Sequence, residues 1–256
     1  MDALLAQIAP EAGSPEASAR RVAAAIKANP AVDLAVFPEL YLGGYRLDEL
    51  DSIACDRDGA ELGEIGAACA AGRTAAVVGF AERAGPRPYN AVACFDRSGD
   101  LRAVYRKVQL FGAEARAFAP GERMTVVELA GRKVAPLICF DLEFPELARS
   151  AALAGADLLV AASANMRPFG HEHLLHCQAR ALENRLPLLY VNRCGEEAGI
   201  SFVGESRAVG SDGVVLVQAG AAEAQTAVAV GAAGADDERV DYLGFDPRRV
   251  PVDVVP

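Results

Sequence analysis

The chain has 256 residues, of which 52% are hydrophobic and 23% are charged. A chain of this length and composition can bury a sizeable core, and it lies far from the low-hydrophobicity, high-charge composition of disordered proteins. Its 35 acidic and 25 basic residues give a net charge of -10. That sign is wrong for a protein that binds phosphates, so we expect neither nucleic acid nor a membrane surface as a partner.

The amino terminus has no basic region, and its apolar stretch is too short for a secretory signal. No uninterrupted apolar run approaches the roughly 20 residues that a membrane helix needs. The six cysteines are widely spread and include no CxxC pair. These features together predict a soluble protein of the reduced, cytoplasmic compartment.

Apolar periodicity alternates between helix and strand spacing along the chain. In order, it predicts a strand at 3–9, a helix at 16–28, a strand at 33–37, a helix at 60–71 and a continuously apolar strand at 75–80. Hairpins follow at 90–105 and 125–139, then a helix at 145–153, a strand at 157–161, a helix at 172–184, a strand at 188–192 and further hairpins at 200–230.

No linker or change in composition divides this pattern, so residues 1–256 are interpreted as a single domain. The number of predicted strands is larger than one sheet usually contains, and the helices fall into two groups along the chain. This favours an α/β fold of two packed sheets flanked outside by helices. In a monomer the tail at 246–256 is expected to be disordered, and its apolar content favours docking on a partner subunit.

Three predicted strands end at a side chain that could take part in catalysis, namely Glu39, Lys107 and Cys139. Sites in open α/β sheets form at the carboxyl ends of strands. Singly, a lysine there is usually solvated and a cysteine is usually inert packing. A helix predicted to start at Pro145 would direct its positive end toward Cys139 and stabilise the thiolate. An acid, an amine and a thiol at three strand ends therefore form a candidate catalytic group.

The residues around these side chains resemble a known family. Residues 37–39, 105–112 and 138–146 are similar to the glutamate, lysine and cysteine motifs of the nitrilase superfamily of carbon-nitrogen hydrolases, in the same order and at matching separations. The resemblance runs from residue 4 to about residue 225. It implies a four-layer αββα sandwich, commonly dimerised into an αββα-αββα stack, so a homodimer or higher homo-oligomer is expected. It implies no cofactor.

The resemblance also implies a reaction, the hydrolysis of a non-peptide carbon-nitrogen bond in a small amide through a cysteine thioester. Cys139 would be the nucleophile and Glu39 the general base, while Lys107 and the Phe140 N–H would hold the oxyanion. Glu114 matches the family's second glutamate, which positions the substrate and the lysine. Hydrolysis of an N-carbamoyl amine or of a nitrile uses the same residues and remains open.

Departures from the family pattern concern the substrate. Glu143 stands where many members carry arginine, which favours a neutral or amine-bearing amide, as in the stereoselective amino-acid-amide amidases. The alternative is that Glu143 points away from the pocket and pairs with a surface base. Asn165 and Met166 follow a strand and are candidates to line the pocket. Arg180, in the helix at 172–184, is interpreted as part of a structural charge pair at the dimer face.

Two other classes of function are open on the sequence. All three histidines lie within 171–176, and His173, His176 and Cys177 share one helical face at a spacing suited to metal ligands, as in a metal-dependent hydrolase. We expect no metal, because the family scheme needs none and no other histidine exists to complete a site. A non-catalytic binding protein would have no reason to keep all three candidate catalytic residues.

Overall fold

The computed structural model describes residues 1–234 and 242–244. The strands, in chain order, are β1 (Asp2–Gln7), β2 (Leu34–Val36), β3 (Ala75–Glu82), β4 (Tyr89–Phe95), β5 (Leu101–Arg106), β6 (Val127–Leu129), β7 (Arg132–Ile138), β8 (Leu158–Ser163), β9 (Leu188–Asn192), β10 (Cys194–Glu197), β11 (Ile200–Val203), β12 (Arg207–Val209), β13 (Val215–Gln218) and β14 (Ala224–Ala229). The tail at 246–256, predicted to dock on a partner subunit, lies outside the described residues.

Helices alternate with these strands. They are α1 (Pro15–Ala28), α2 (Leu50–Ile53), α3 (Ala60–Gly72), α4 (Glu114–Ala117), α5 (Pro145–Leu153) and α6 (Gly170–Asn184), with 3₁₀ turns at Leu47–Glu49, Cys139–Glu143 and Tyr242–Gly244. The start of α1 shows the local cause, because the Ser14 side chain accepts a hydrogen bond from the Ala17 N–H and Pro15 occupies the first turn. Within the described part of the chain, no helix combines the length and apolarity needed to cross a bilayer.

Two six-stranded sheets carry most of the strands, in the orders β14-β1-β2-β3-β4-β5 and β13-β12-β9-β8-β7-β6. Strands β1, β2 and β3 run parallel, as do β7, β8 and β9. The outer strand pairs of both sheets are antiparallel. β10 and β11 form a separate hairpin. Each sheet therefore has a parallel centre whose carboxyl ends share one edge, where sites form.

Three apolar layers hold the fold together. One joins α1 and α3 to the first sheet, for example through Val22, Ile65 and Phe80. The second lies between the two sheets and includes Leu5 and Val160. The third, which includes Leu159 and Cys177, joins the second sheet to α5 and α6. The layers therefore follow the order helix, sheet, sheet, helix, and the predicted αββα sandwich is confirmed. Strand β3 is buried along its whole length, as its continuous apolar run predicted.

The structure differs from the sequence prediction around Cys139. The strand predicted to reach 139 ends at Ile138, and Cys139 opens a 3₁₀ turn with a φ of 45°. The short helices α2 and α4 were not predicted, because segments of four residues are too short to show a helical period. The turn matters for the site, since it redirects the chain between β7 and α5 at the position of the cysteine thiol.

Gly79 on β3 lets the loop after β2 cross the sheet. A Cβ atom at this position would lie 2.2 Å from the Pro38 carbonyl oxygen and 2.7 Å from the Glu39 Cα. Leu40, the next residue of that loop, has a φ of 46°. The loop is therefore held directly against the β3 backbone, and this close approach sets where the Glu39 side chain begins.

We predict that Gly79→Ala lowers the free energy of unfolding by about 1–3 kcal/mol, because the added methyl group overpacks a backbone contact. It also lowers any activity that depends on Glu39, since the loop must shift. Chemical denaturation measures the effect. Gly63→Ala is the matched control, because Gly63 is exposed on α3 with nothing within 4 Å of the new Cβ. That control should be neutral or stabilising by up to about 1 kcal/mol, and equal unfolding curves for the two variants would contradict the role of Gly79.

Candidate active site

The two sheets bring the three predicted strand-end residues together. Glu39 follows β2 and Lys107 follows β5 in the first sheet, whereas Cys139 follows β7 in the second. The Lys107 Nζ atom lies 2.6 Å from Glu39 Oε1, and both side chains are almost completely buried. Cys139 is half-buried, while the other five cysteines are fully buried. The thiol interacts electrostatically with Glu39 and Lys107, so the three residues occupy one site.

Glu114 completes a buried ion cluster with Lys107 and Glu39. It begins α4, and its Oε2 atom lies 2.8 Å from Lys107 Nζ. The Tyr45 hydroxyl donates to Glu114 Oε1 at 2.7 Å, and the Phe111 N–H donates to Oε2 at 2.9 Å. Glu114 is therefore fixed on both oxygens, and one ammonium group is shared between two carboxylates.

Asn90, at the start of β4, fixes Glu39. Its Nδ2 atom donates to Glu39 Oε1 at 2.6 Å, and its carbonyl oxygen accepts from the Lys107 N–H at 2.8 Å. The other carboxylate oxygen, Glu39 Oε2, is buried and has no hydrogen-bond partner among the described residues. Buried carboxylate oxygens normally have partners. The exception leaves one oxygen of Glu39 free to exchange a proton.

Burial and the neighbouring charges shift the pKa values of all three groups. Burial raises the pKa of the Glu39 carboxyl, Lys107 opposes this shift and Glu114 adds to it. Burial disfavours the Lys107 ammonium, but Glu39 and Glu114 outweigh it, so the pKa of Lys107 lies well above its usual value. Burial, followed by the Glu39 carboxylate, raises the pKa of the Cys139 thiol. At rest the site therefore holds a charged lysine and a neutral thiol.

This result differs from the expected stabilisation of a thiolate by the helix that starts at Pro145. The turn Cys139–Glu143 separates the thiol from that helix. Two polar groups at the end of β8, the Ser163 hydroxyl and the Ala164 N–H, lower the pKa of the thiol. Loss of solvent contact outweighs them, so the thiol needs a base to become a nucleophile.

Asp141 ties the cysteine turn to the lysine loop. Its Oδ1 atom accepts from the N–H groups of Val108 at 3.2 Å and Gln109 at 2.8 Å. Its Oδ2 atom accepts from the Ile138 N–H at 3.0 Å and from the Tyr105 hydroxyl at 2.8 Å. Burial raises the pKa of Asp141 to about 6, against the opposing effect of these hydrogen bonds. One carboxylate thus holds Lys107 and Cys139 in a common frame.

The residues predicted to bind the substrate lie around this centre. Phe140 is half-buried, and its ring packs edge-on against Phe111 and Phe144. The amide groups of Asn165 are engaged in the fold, since Nδ2 donates to the Phe169 carbonyl at 3.0 Å and the backbone N–H donates to Asn192 at 2.7 Å. Met166 pairs with the β10–β11 hairpin and packs in the cluster that contains Tyr45 and Leu40. Contact of these residues with a substrate remains a prediction.

Glu143 pairs with a histidine of α6 that is buried, whereas the alternative interpretation named a surface base. Its Oε1 atom lies 3.2 Å from His173 Nε2, and this hydrogen bond is the main cause that lowers the pKa of Glu143. Arg180 supports the same turn, because it donates to the carbonyl oxygens of Leu142 and Glu143, each at 3.0 Å, and pairs with Glu183 at 3.0 Å. Arg180 thus forms a charge pair as predicted, and its position at a dimer face stays a prediction.

The histidine cluster forms hydrogen bonds within the fold. His173 Nδ1 lies 3.0 Å from the Tyr190 hydroxyl, and its Nε2 faces Glu143. The rings of His173 and His176 meet edge-on at 6.3 Å, and Cys177 is buried in the core between the second sheet and α6. Among residues 1–234 and 242–244, no group of three or more His, Cys, Asp or Glu side chains is arranged to hold a metal ion. The shared helical face thus serves packing and hydrogen bonding.

Sequence reasoning missed Asn90, Tyr45 and Asp141 as site residues. The β4–β5 pairing aligns Ala91 with Arg106, which brings Asn90 beside Lys107. Tyr45 reaches Glu114 from a loop 69 residues away in the chain. Only Asp141 carried a local signal, because it lies two residues after the cysteine. The other two depend on strand register and loop path.

Comparison with known proteins identifies what the chain resembles. A family model described as carbon-nitrogen hydrolase matches residues 4–231. The chain is 40% identical to a protein named "Hydrolase in pqqF 5'region" from Pseudomonas protegens, over 75% of this chain and 69% of that protein. It is 37% identical to an (R)-stereoselective amidase from Pseudomonas sp., over 85% of this chain and 80% of that protein.

Solved structures give the same result. The fold is similar to that of an amidase from Nesterenkonia sp. AN1, a glutamate and cysteine double mutant in complex with acrylamide, with a TM-score of 0.85, 28% identity, and coverage of 95% of this chain and 92% of that chain. A further structure of that amidase has a TM-score of 0.83 and 29% identity over 89% of each chain. It shows covalent addition of the acetamide moiety of fluoroacetamide at the active-site cysteine.

We predict that Asp141→Asn lowers the free energy of unfolding at pH 7 by about 2–3 kcal/mol, because an amide cannot accept all four of the hydrogen bonds that the carboxylate accepts. Turnover should fall at least about tenfold, since the loops carrying Lys107 and Cys139 lose their common anchor. Tyr105→Phe is the matched control, because it removes one of the four donors and should cost about 1 kcal/mol. Denaturant unfolding that is unchanged in Asp141→Asn would contradict this role.

Proposed function

The chain belongs to the carbon-nitrogen hydrolase family of the nitrilase superfamily, and we propose from this premise that it hydrolyses a small amide through a thioester on Cys139. The observation that carries the proposal is the buried pairing of Glu39 and Lys107 beside a half-buried thiol, with one Glu39 oxygen free of partners. The covalent cysteine adduct of the related amidase supports the same role for Cys139.

In the first half of the reaction, Glu39 Oε2 takes the proton of the Cys139 thiol, and the sulfur attacks the amide carbonyl carbon. The carbonyl oxygen becomes an oxyanion, held by the Lys107 ammonium and the Phe140 N–H. The carbon-nitrogen bond then breaks, and the leaving nitrogen takes the proton from Glu39. Ammonia or an amine departs, and the acyl group remains on the sulfur as a thioester.

In the second half, Glu39 takes a proton from water, and the resulting hydroxide attacks the thioester carbon. The carbon-sulfur bond breaks, the carboxylic acid leaves, and the proton returns to the sulfur. One carboxyl group thus serves first as base and then as acid in each half of the reaction. A pKa raised by burial suits it to these exchanges near neutral pH. The raised pKa of the thiol makes such a base necessary.

Glu114 would orient Lys107 rather than exchange protons. Both of its oxygens already accept hydrogen bonds, from Tyr45 and from the Phe111 N–H. It also pairs with the Lys107 ammonium, whose Nζ atom lies 2.8 Å from Glu114 Oε2. A lysine held by two carboxylates keeps its charge, which the oxyanion needs in the transition state.

Charge around the site supports a neutral or amine-bearing amide. Two carboxylates, Glu39 and Glu114, share one ammonium in the buried cluster. Glu143, where many family members carry arginine, adds a third carboxylate near His173. A substrate carboxylate would add a further negative charge to this group, whereas a neutral amide or an ammonium group would not. An ammonia-release panel of primary amides, omega-amides of dicarboxylic acids, N-carbamoyl amines and nitriles tests this order of preference.

We predict that Cys139→Ala abolishes amide hydrolysis and leaves the fold intact. Lys107→Ala should lower turnover by at least about 10²-fold, because it removes an oxyanion donor. It should also destabilise the protein by about 3–5 kcal/mol, since Glu39 and Glu114 are left buried without a cation. Ammonia release and chemical denaturation measure the two effects. Wild-type hydrolysis by Cys139→Ala would overturn the proposed mechanism.

The dependence of kcat/KM on pH tests Glu39 as the base. The base must be ionised, so activity falls as the pH drops through its pKa, and the midpoint should lie above 4.5, the ordinary value for glutamate. Asn90→Ala removes a hydrogen bond that lowers this pKa, so the midpoint should move to higher pH. Glu114→Gln removes a charge that raises it, so the midpoint should move to lower pH. Shifts in the same direction for both variants would contradict the assignment.

A further inference from the structure

A second buried ion pair, which the proposed mechanism does not use, contacts the loop that carries Glu39. It consists of Arg193, which follows β9, and Glu197, which ends β10. Their side chains are 2% and 9% exposed, and Arg193 Nη2 donates to Glu197 Oε2. The loop runs from Glu39 to Tyr45 and is buried along its whole length. A charge pair at the end of the second sheet is therefore enclosed together with a loop of the first.

The pair contacts this loop at both of its ends. At the first end, Arg193 Nη1 donates to the Leu40 carbonyl oxygen at 3.1 Å, one residue after Glu39. At the other end, the Tyr45 N–H donates to Glu197 Oε2 at 3.3 Å. The two partners of one ion pair thus set the distance between the two ends of the loop.

Aromatic contacts add to the hold on Tyr45. The Arg193 Cζ atom lies 4.8 Å from the centre of the Phe202 ring on β11, and that ring meets the Tyr45 ring edge-on at 6.0 Å. Both arrangements are attractive, the first between a cation and a ring face and the second between two rings. The Tyr45 hydroxyl donates to Glu114 at 2.7 Å. Tyr45 is therefore held by its backbone and by its ring, and it in turn fixes Glu114.

The loop after β2 has a backbone conformation that its surroundings must maintain. Leu40, Gly43 and Gly44 have φ values of 46°, 86° and 98°. Glycine adopts such values readily, whereas a leucine does so only where neighbouring contacts fix it. The Leu40 carbonyl is the group to which Arg193 donates. The arginine therefore holds the strained residue from which the chain leaves Glu39.

Hydrogen bonding within the pair is incomplete. Among the described residues, Arg193 Nε and Glu197 Oε1 are buried and have no hydrogen-bond partner. Oε1 lies so close to Gly44 that a Cβ atom there would be 2.1 Å from it. A buried ion pair with unsatisfied atoms stabilises a fold no better than apolar side chains of the same volume. The two contacts with the loop, rather than a gain in stability, account for a charge pair at this place.

We propose that Arg193 and Glu197 are positioning residues for Glu39 and Glu114, because they fix both ends of the loop after β2. The base and the carboxylate that orients Lys107 then keep their places around the ammonium group. This inference rests on the proposed function, in which Glu39 transfers the protons. A displacement of about 1 Å can cost about 10²-fold in rate. Loss of the pair should lower kcat, since Glu39 acts in the chemical steps.

A double variant that replaces the pair by apolar residues of similar volume separates positioning from folding. Arg193→Met/Glu197→Met leaves neither charge buried alone, so its denaturation midpoint should stay close to that of the wild type. Ammonia release from butyramide, a neutral primary amide, gives kcat and KM. The kcat value should fall at least about tenfold, and KM should change less than about threefold. If the wild type hydrolyses another compound of the panel faster, that compound replaces butyramide.

Arg207→Met/Glu205→Met is the matched control, because Arg207 is 1% exposed and pairs with Glu205 at 3.2 Å at the start of β12. It should keep the wild-type kcat. Arg193→Lys serves if the double variant does not fold. It keeps a charge opposite Glu197 but replaces the two-armed guanidinium by one ammonium group, so the contact with Leu40 is lost and kcat should fall several-fold.

Wild-type kcat in Arg193→Lys and in the folded Arg193→Met/Glu197→Met would show that the positioning role is wrong, while the proposed function stands. A rise in KM at unchanged kcat would also overturn it, because the pair would then act in substrate binding. So would an equal loss of kcat in the Arg207→Met/Glu205→Met control. If the wild type releases ammonia from no compound of the panel, the proposed function fails, and this inference fails with it.

Discussion

The buried ion cluster of Lys107, Glu39 and Glu114 is the interaction on which the rest of the site depends. Charges removed from water are costly unless each is paired and hydrogen-bonded. Here one ammonium meets two carboxylates, and Asn90 and Tyr45 supply the additional donors. Burial holds the Glu39 pKa high, Lys107 opposes this effect and the Glu114 carboxylate adds to it. The pairing that allows these charges to be buried also suits the Glu39 carboxyl to proton exchange.

The double sheet brings these charges to the thiol. Glu39 and Lys107 leave the first sheet and Cys139 leaves the second, so their separation depends on how the sheets pack. Two contacts fix it across the gap. The Glu39 N–H donates to the Ser163 carbonyl at 3.4 Å, and Asp141 accepts from residues on both sides. The rigid core between the sheets thus holds the site residues in position, as one helix or strand does in a site whose residues all lie on that element.

Cys139 lies near two groups of polar side chains. The cluster around Lys107 is charged and completely buried, whereas the hydrogen bonds that join Ser163, Tyr190, His173 and Glu143 run from the buried end of β8 to a partly exposed carboxylate. The pKa of the thiol is raised by burial and by Glu39, and it is lowered by Lys107 and Ser163. The pKa of the thiol is therefore a balance between opposing neighbours.

The sequence by itself determined the layers and the chemical groups. Alternating apolar periods predicted the αββα order, and three strand-end motifs predicted Glu39, Lys107 and Cys139, because both signals are local. Only the tertiary structure decided the role of Asn90, which depends on strand register, and the pairing of Glu143 with His173, which depends on how α6 packs. It also decided that the thiol is neutral at rest, because desolvation is a property of the assembled core and no local motif encodes it.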